Sequence, residues 1–216
     1  MSSSKNIIFD YDGTLHNSIK IYSPAFREAY KYLVKKGYAK HREWKDDEIS
    51  IWLGYSSKDM WNNFMPELPQ GEKEKCSSII GSYMIECMAN SLAELYDGSI
   101  EILEYLKQKG YNLIFLSNCK IKYMDEHRRI FKLDKYFNDF YCTEEFDFKP
   151  KYEIFNRIKE KYLGDFIVVG DRDVDIELAK THGLYSIGCT YGFGSLEELK
   201  SADVKIDSIL EIKDIL

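Results

Sequence analysis

The feature that most constrains this chain is an abrupt change of character near its start, where the apolar run Ile7-Ile8-Phe9 stops at Asp10-Tyr11-Asp12-Gly13-Thr14. A short apolar run closed by a polar cluster with a turn glycine reads as a buried strand that delivers its last residues into a loop. Strands of this kind belong to parallel sheets covered on both faces, and parallel strands need crossover helices between them.

From residue 93 onward the chain supplies that alternation. A helix over Gly98 to Lys109 carries Ile102, Leu103 and Leu106 on one face and closes at Gly110. A strand over Asn112 to Leu116 follows, then a helix near Tyr123 to Phe131, a short strand around Phe140 to Cys142 and a helix near Tyr152 to Tyr162. The strand Phe166 to Val169, a helix over Ile176 to Thr181 and the strand Tyr185 to Cys189 complete the pattern. Ser195-Leu196-Glu197-Glu198 has the spacing of a capping box and predicts one more helix. The expected fold is α/β, a Rossmann-like parallel sheet. Residues 17–92 read instead as wholly helical, with stripes Ile19, Tyr22, Phe26, Ala29, Tyr30, Leu33, Val34 and Ile79, Ile80, Tyr83, Met84, Cys87, Met88. A length of 216 residues suits one core domain, 1–16 with 93–216, and a helical insertion, 17–92.

Charge narrows the partners. Lys and Arg number 30 against 36 Asp and Glu, a net charge of -6, which gives no overall field for a nucleic acid polymer or an anionic membrane. The apolar stretches are far shorter than the ~20 residues of a membrane helix. Met1-Ser2-Ser3-Ser4-Lys5 has no apolar leader pattern. Five scattered cysteines suit a reducing compartment and packing roles, so a cytoplasmic protein is expected. The four histidines form no zinc spacing, and His16 reads as an exposed hinge residue.

In an open parallel sheet ligands bind beyond the carboxyl ends of the strands. Four groups fall there: Asp10 to Thr14, Ser117-Asn118, Lys149-Pro150, and Gly170-Asp171-Arg172-Asp173-Val174-Asp175. Several carboxylates in one crevice repel unless a hard cation neutralises them, and Mg2+ characteristically binds through a few carboxylates and a substrate phosphate. Singly, each group is equally a cap, a turn or a solvated charge. In order and at strand ends, they point to a magnesium site facing a phosphate.

These motifs, DYDGT, LSN, KP and GDRDVD, resemble those of the haloacid dehalogenase superfamily. The helical insertion, Leu95-Tyr96-Asp97-Gly98 and the tail from Ala179 to Gly194 are similar to its phosphoglycolate phosphatase and beta-phosphoglucomutase branch. The resemblance implies a core of that type with a helical cap. It makes Asp10 the nucleophile that forms an aspartyl-phosphate and Asp12 the general acid and base. Ser117 and Asn118 become phosphoryl contacts, Lys149 the charge-offsetting ammonium, and Thr14 a residue of the substrate loop. Mg2+ would be held by Asp10, the backbone carbonyl of Asp12, Asp171 and, less directly, Asp175. Gly54, Tyr55 and Lys58, with Trp61 nearby, resemble the cap segment that selects substrate. The implied activity is hydrolysis of a small phosphorylated metabolite by a monomer or weak homodimer. A beta-phosphoglucomutase-like phosphotransferase and a non-catalytic phosphate-binding module are the alternatives, and Thr14 favours the phosphatase.

Overall fold

The computed structural model describes residues 5–216, which divide into two compact units, residues 5–17 with 95–216, and residues 18–94.

The discontinuous unit is built on six parallel strands: β1 (Lys5–Phe9), β2 (Asn112–Ser117), β3 (Asp139–Cys142), β4 (Asp165–Gly170), β5 (Tyr185–Cys189) and β6 (Val204–Ile206). Their order is β3-β2-β1-β4-β5-β6, so the chain fills one side of β1 and then crosses to the other. The direction reverses between β1 and β4, the point at which an open sheet leaves a crevice at its carboxyl edge. Phe9 pairs with both Phe115 and Val169, which brings the ends of β1, β2 and β4 level.

Side-chain alternation explains why both faces are covered. Ile7, Phe9, Leu113 and Phe115 pack on one face with Ile102, Leu103 and Leu106 of α5 (Ser99–Gln108) and Met124 of α6 (Ile121–Phe131). Ile8, Ile114, Leu116 and Val168 pack on the other with Ile154, Phe155 and Ile158 of α7 (Lys151–Lys161) and Leu178 of α8 (Asp173–His182). Each such side chain, fully buried, contributes roughly 1.5–3 kcal/mol.

Ser195 and Glu198 do form their reciprocal bonds, Ser195 N to Glu198 Oε1 at 3.1 Å and Glu198 N to Ser195 Oγ at 3.2 Å, yet only turns follow. Ala202 N returns to Leu199 O and Asp203 ties to Ser186, which sends the chain into β6 before a helix can extend.

The second unit contains α1 (Ile19–Lys35), α2 (Asp46–Ser50), α3 (Ser57–Phe64) and α4 (Gln70–Ala89). It is not wholly helical, because residues 38–45 form a connection whose Trp44 packs on Phe26, Tyr30 and Phe64. α1 runs through Pro24. Trp61 is 1% exposed and packs against Phe64. None of the described helices is long and apolar enough to cross a membrane. All five cysteines are buried thiols, Cys76 and Cys87 in the helical unit and Cys119, Cys142 and Cys189 in the α/β unit.

Candidate active site

The crevice between β1 and β4 collects the acids. Asp10 follows β1 directly, and its N–H donates to Val169 O at 2.9 Å, extending the ladder by one bond. Asp171 follows β4, and Asp175 lies in the first turn of α8. An oxygen from each of these three buried carboxylates lies within 4.8 Å of the others. Asp175 Oδ2 accepts from Arg172 N at 3.2 Å, so one residue caps α8 and faces the site. Asp171 Oδ1 accepts from Thr14 Oγ1 at 3.3 Å and Oδ2 from Phe193 N at 2.7 Å. The hydroxyl of Thr14, expected at the substrate, is thus directed to a carboxylate of the cluster. Gly13 has φ +88, and a Cβ there would sit 2.2 Å from Asp171 Oδ2, so both its conformation and the close approach require glycine.

Among the described residues, the ammonium that bonds these acids is that of Lys151. Lys151 Nζ lies 2.5 Å from Asp10 Oδ1 and 2.7 Å from Asp175 Oδ1, with its side chain 2% exposed. The sequence pointed to Lys149, which is exposed. The reason is local geometry: Asp147 and Phe148 both take left-handed conformations, and Pro150 then caps α7. Lys151 is therefore the first helical residue, and helical side chains lean toward the N-terminus, here over the strand ends.

Burial pushes the Asp10 carboxyl well up, with Lys151 opposing and Asp175 and Asp171 adding to the rise. Burial and then Asp175 raise Asp171 to about 7. Burial would lower Lys151, but Asp10 and Asp175 outweigh it and hold the ammonium above its ordinary value. Three clustered carboxylates against one ammonium leave the site short of positive charge, and an all-oxygen donor set is what a hard divalent cation takes.

Ser117 ends β2, buried, with its hydroxyl bonded to the Cys119 thiol, and Asn118 is half-buried beside it. Asp12 is half-buried; its Oδ1 accepts from His16 Nδ1 at 2.9 Å and from Tyr123 OH at 2.7 Å. Burial raises Asp12, but the His16 and Tyr123 contacts outweigh it and leave the carboxyl below its ordinary range. His16, expected to be exposed, is 0% exposed. Asp173 caps Val174 N and stays exposed. Gly54, Tyr55 and Lys58 belong to the helical unit, Gly54 and Tyr55 in the turn before α3 and Lys58 in its first turn, with Tyr55 and Lys58 exposed.

The sequence pattern of the family described as haloacid dehalogenase-like hydrolase matches residues 7–189, spanning both the strand-end acids and the helical insertion. The chain belongs to that family. A phosphoglycolate phosphatase of Vibrio parahaemolyticus is 26% identical over 221 residues, covering 98% of this chain and 96% of the relative. A glyceraldehyde 3-phosphate phosphatase of Methanocaldococcus jannaschii is 28% identical over 98% of this chain and 96% of its own length. Among solved structures, a predicted phosphoglycolate phosphatase from Haemophilus somnus superposes with a TM-score of 0.82 at 25% identity, covering 100% of this chain and 99% of the other. For this haloacid dehalogenase-like hydrolase, sequence reasoning missed Lys151, His16 and Tyr123. The position of Lys151 directly after Pro150, as the opening residue of a helix, was the one available signal.

Proposed function

We propose that this haloacid dehalogenase-like hydrolase is a phosphatase of small phosphomonoesters that works through an aspartyl-phosphate on Asp10. The observation that carries the reading is the buried Asp10, Lys151, Asp175 and Asp171 cluster at the carboxyl end of β1 and β4, one residue from Asp12. A carboxylate oxygen of Asp10 attacks phosphorus as the ester bond breaks, and Asp12 gives a proton to the departing alkoxide. Asp12 then takes a proton from water; the hydroxyl attacks phosphorus, the bond to Asp10 breaks, and phosphate and free Asp10 are released. The depressed carboxyl of Asp12 is raised toward its proton-bearing form by an incoming phosphate dianion, through like-charge repulsion. Lys151 holds Asp10 in place and offsets part of the charge.

Asp10, Asp171 and the Asp12 backbone carbonyl would hold Mg2+, with Asp175 supporting them. When bound, the ion neutralises charge on the phosphoryl oxygens. Ser117 and Asn118 are assigned to the phosphoryl group. The helical unit is assigned as a cap that selects substrate through Gly54, Tyr55 and Lys58. Phosphoglycolate and glyceraldehyde 3-phosphate, the substrates in the relatives' names, are both small monoesters and head the candidate list.

The test is phosphate release from 4-nitrophenyl phosphate and a panel of phosphoglycolate, triose, sugar and nucleotide phosphates. Release that stops with EDTA and in Asp10→Asn supports the reading. Folded protein that releases none with Mg2+ present refutes it, and interconversion of sugar phosphate isomers by that protein establishes a mutase.

A further inference from the structure

Behind Asp12 lies a group of polar rings, of which only Tyr11 belongs to one of the four motifs. His16 stacks on Tyr11 with centroids 5.2 Å apart and planes 10° from parallel, and it meets His127 edge-on at 4.5 Å. Tyr11 OH lies 2.7 Å from His127 Nδ1. Tyr123 and His127, one turn apart on α6, present one face, with their rings 4.2 Å apart. His16 and His127 are both 0% exposed, and the Nε2 of each has no hydrogen-bond partner among the described residues. An apolar ring would fill either position without burying an unpaired nitrogen, so packing does not account for imidazole at residue 16. Packing does not account for the hydroxyl of Tyr123 either, since phenylalanine would cover the same surface.

What both polar groups share is Asp12 Oδ1. A carboxylate oxygen only accepts, so His16 carries its proton on Nδ1 and donates, as does Tyr123 OH. The two donor atoms also lie 3.2 Å from each other, so with Asp12 Oδ1 they form a closed triangle that holds the carboxyl group. Both meet the same oxygen, which leaves Oδ2 as the one that exchanges a proton with the reacting ester. The rings of Tyr11 and His127 in turn hold His16 against rotation. We infer that His16 and Tyr123 are positioning residues that aim Oδ2 of Asp12 at the leaving oxygen. The inference rests on the phosphatase reading and extends it to two residues outside the motifs.

A misaimed general acid slows esters in proportion to how much their leaving group needs a proton. The experiment therefore measures kcat/KM over phosphate esters of graded leaving-group basicity, from 4-nitrophenyl through phenyl to alkyl. The variants are Tyr123→Phe, His16→Ala, His16→Asn and, as the limiting case, Asp12→Asn. This ratio covers the steps through leaving-group departure, so Asp12's second role on water does not enter it. For Tyr123→Phe and His16→Ala we expect a fall of about 10- to 100-fold on the basic leaving groups, part of the roughly 10²–10⁴-fold that general acid catalysis contributes, and about 3-fold or less on 4-nitrophenyl phosphate. His16→Asn, whose amide nitrogen stands near the position of Nδ1, recovers part of the loss. Inhibition by orthovanadate, which reports Asp10 and the phosphoryl pocket, stays within about 3-fold, whereas general disruption of the site would weaken it well beyond that.

An equal fall across the series, or no recovery in His16→Asn, overturns the inference while leaving the phosphatase reading intact. A wild-type chain without phosphatase activity overturns both.

Discussion

Replacing Lys151 by methionine keeps most of the side-chain volume and removes the only ammonium against Asp10 and Asp175 among the described residues. The side chains of all three are at most 8% exposed, so water cannot substitute for the missing charge. Breaking a buried ion pair by removing one partner typically costs about 3–5 kcal/mol. At about 2–4 °C per kcal/mol for a chain of this size, the melting temperature of the metal-free α/β unit falls by roughly 6–20 °C. Phosphate release falls by about 10²–10³-fold, the usual effect of losing one preorganised charge-stabilising group. Lys149→Ala is the paired control: an exposed side chain away from special features changes stability by about 0.5 kcal/mol or less. Urea denaturation in EDTA and kcat in Mg2+ measure both variants. Lys149→Ala losing as much as Lys151→Met, or Lys151→Met matching wild type in both assays, would refute the assignment.

Three other outcomes are expected. Burial, then His16, depresses His127 from 6.5 to about 3, so the unfolded chain binds the extra proton and stability drains away as pH falls through that interval. Between pH 6 and pH 4 this one group removes about 2.5 kcal/mol in wild type, and His127→Gln should flatten the denaturant-measured profile by that amount. Gly13→Ala forces a side chain into φ +88 and against Asp171, so a loss of about 1–3 kcal/mol and weaker Mg2+ binding by titration calorimetry are expected; wild-type values for both would remove the steric argument. With Asp171 near 7 in the metal-free site and Asp10 also held well above its ordinary value, adding Mg2+ at pH 7 should release about half a proton from Asp171 beyond whatever Asp10 gives up, since ligating carboxylates are ionised. A dye-based proton count that is unchanged in Asp171→Asn would contradict this.

The sheet was legible because its strands are buried on both faces: Ile7 to Phe9, Leu113 to Leu116 and Phe166 to Val169 are continuous apolar runs that end in acids or polar turns. β6 was not, since Val204-Lys205-Ile206 is a three-residue edge strand with an exposed lysine at its centre. Asp10, Asp171 and Asp175 could be placed together because strand ends in a parallel sheet converge, whatever lies between them in sequence. Lys151 was lost to Lys149 because two residues separate a loop position from the first turn of a helix, and only the backbone path through Asp147 and Phe148 decides which lysine turns inward. The bond of Asp12 to Tyr123 spans 111 residues and follows no motif. The four-residue spacings of Asp12 with His16 and of Tyr123 with His127 were visible, but what each pair faces is a property of the packed core.

The burial of every cysteine makes each thiol a timekeeper for the part of the chain around it. An alkylating reagent can reach Cys76 and Cys87 only when the helical unit opens, and Cys119, Cys142 and Cys189 only when the α/β unit does. Burial also holds the thiols of Cys76, Cys119 and Cys189 above their ordinary range, so little thiolate is present to react before opening. Peptide-resolved labelling rates therefore separate the opening of one unit from that of the other without any added probe.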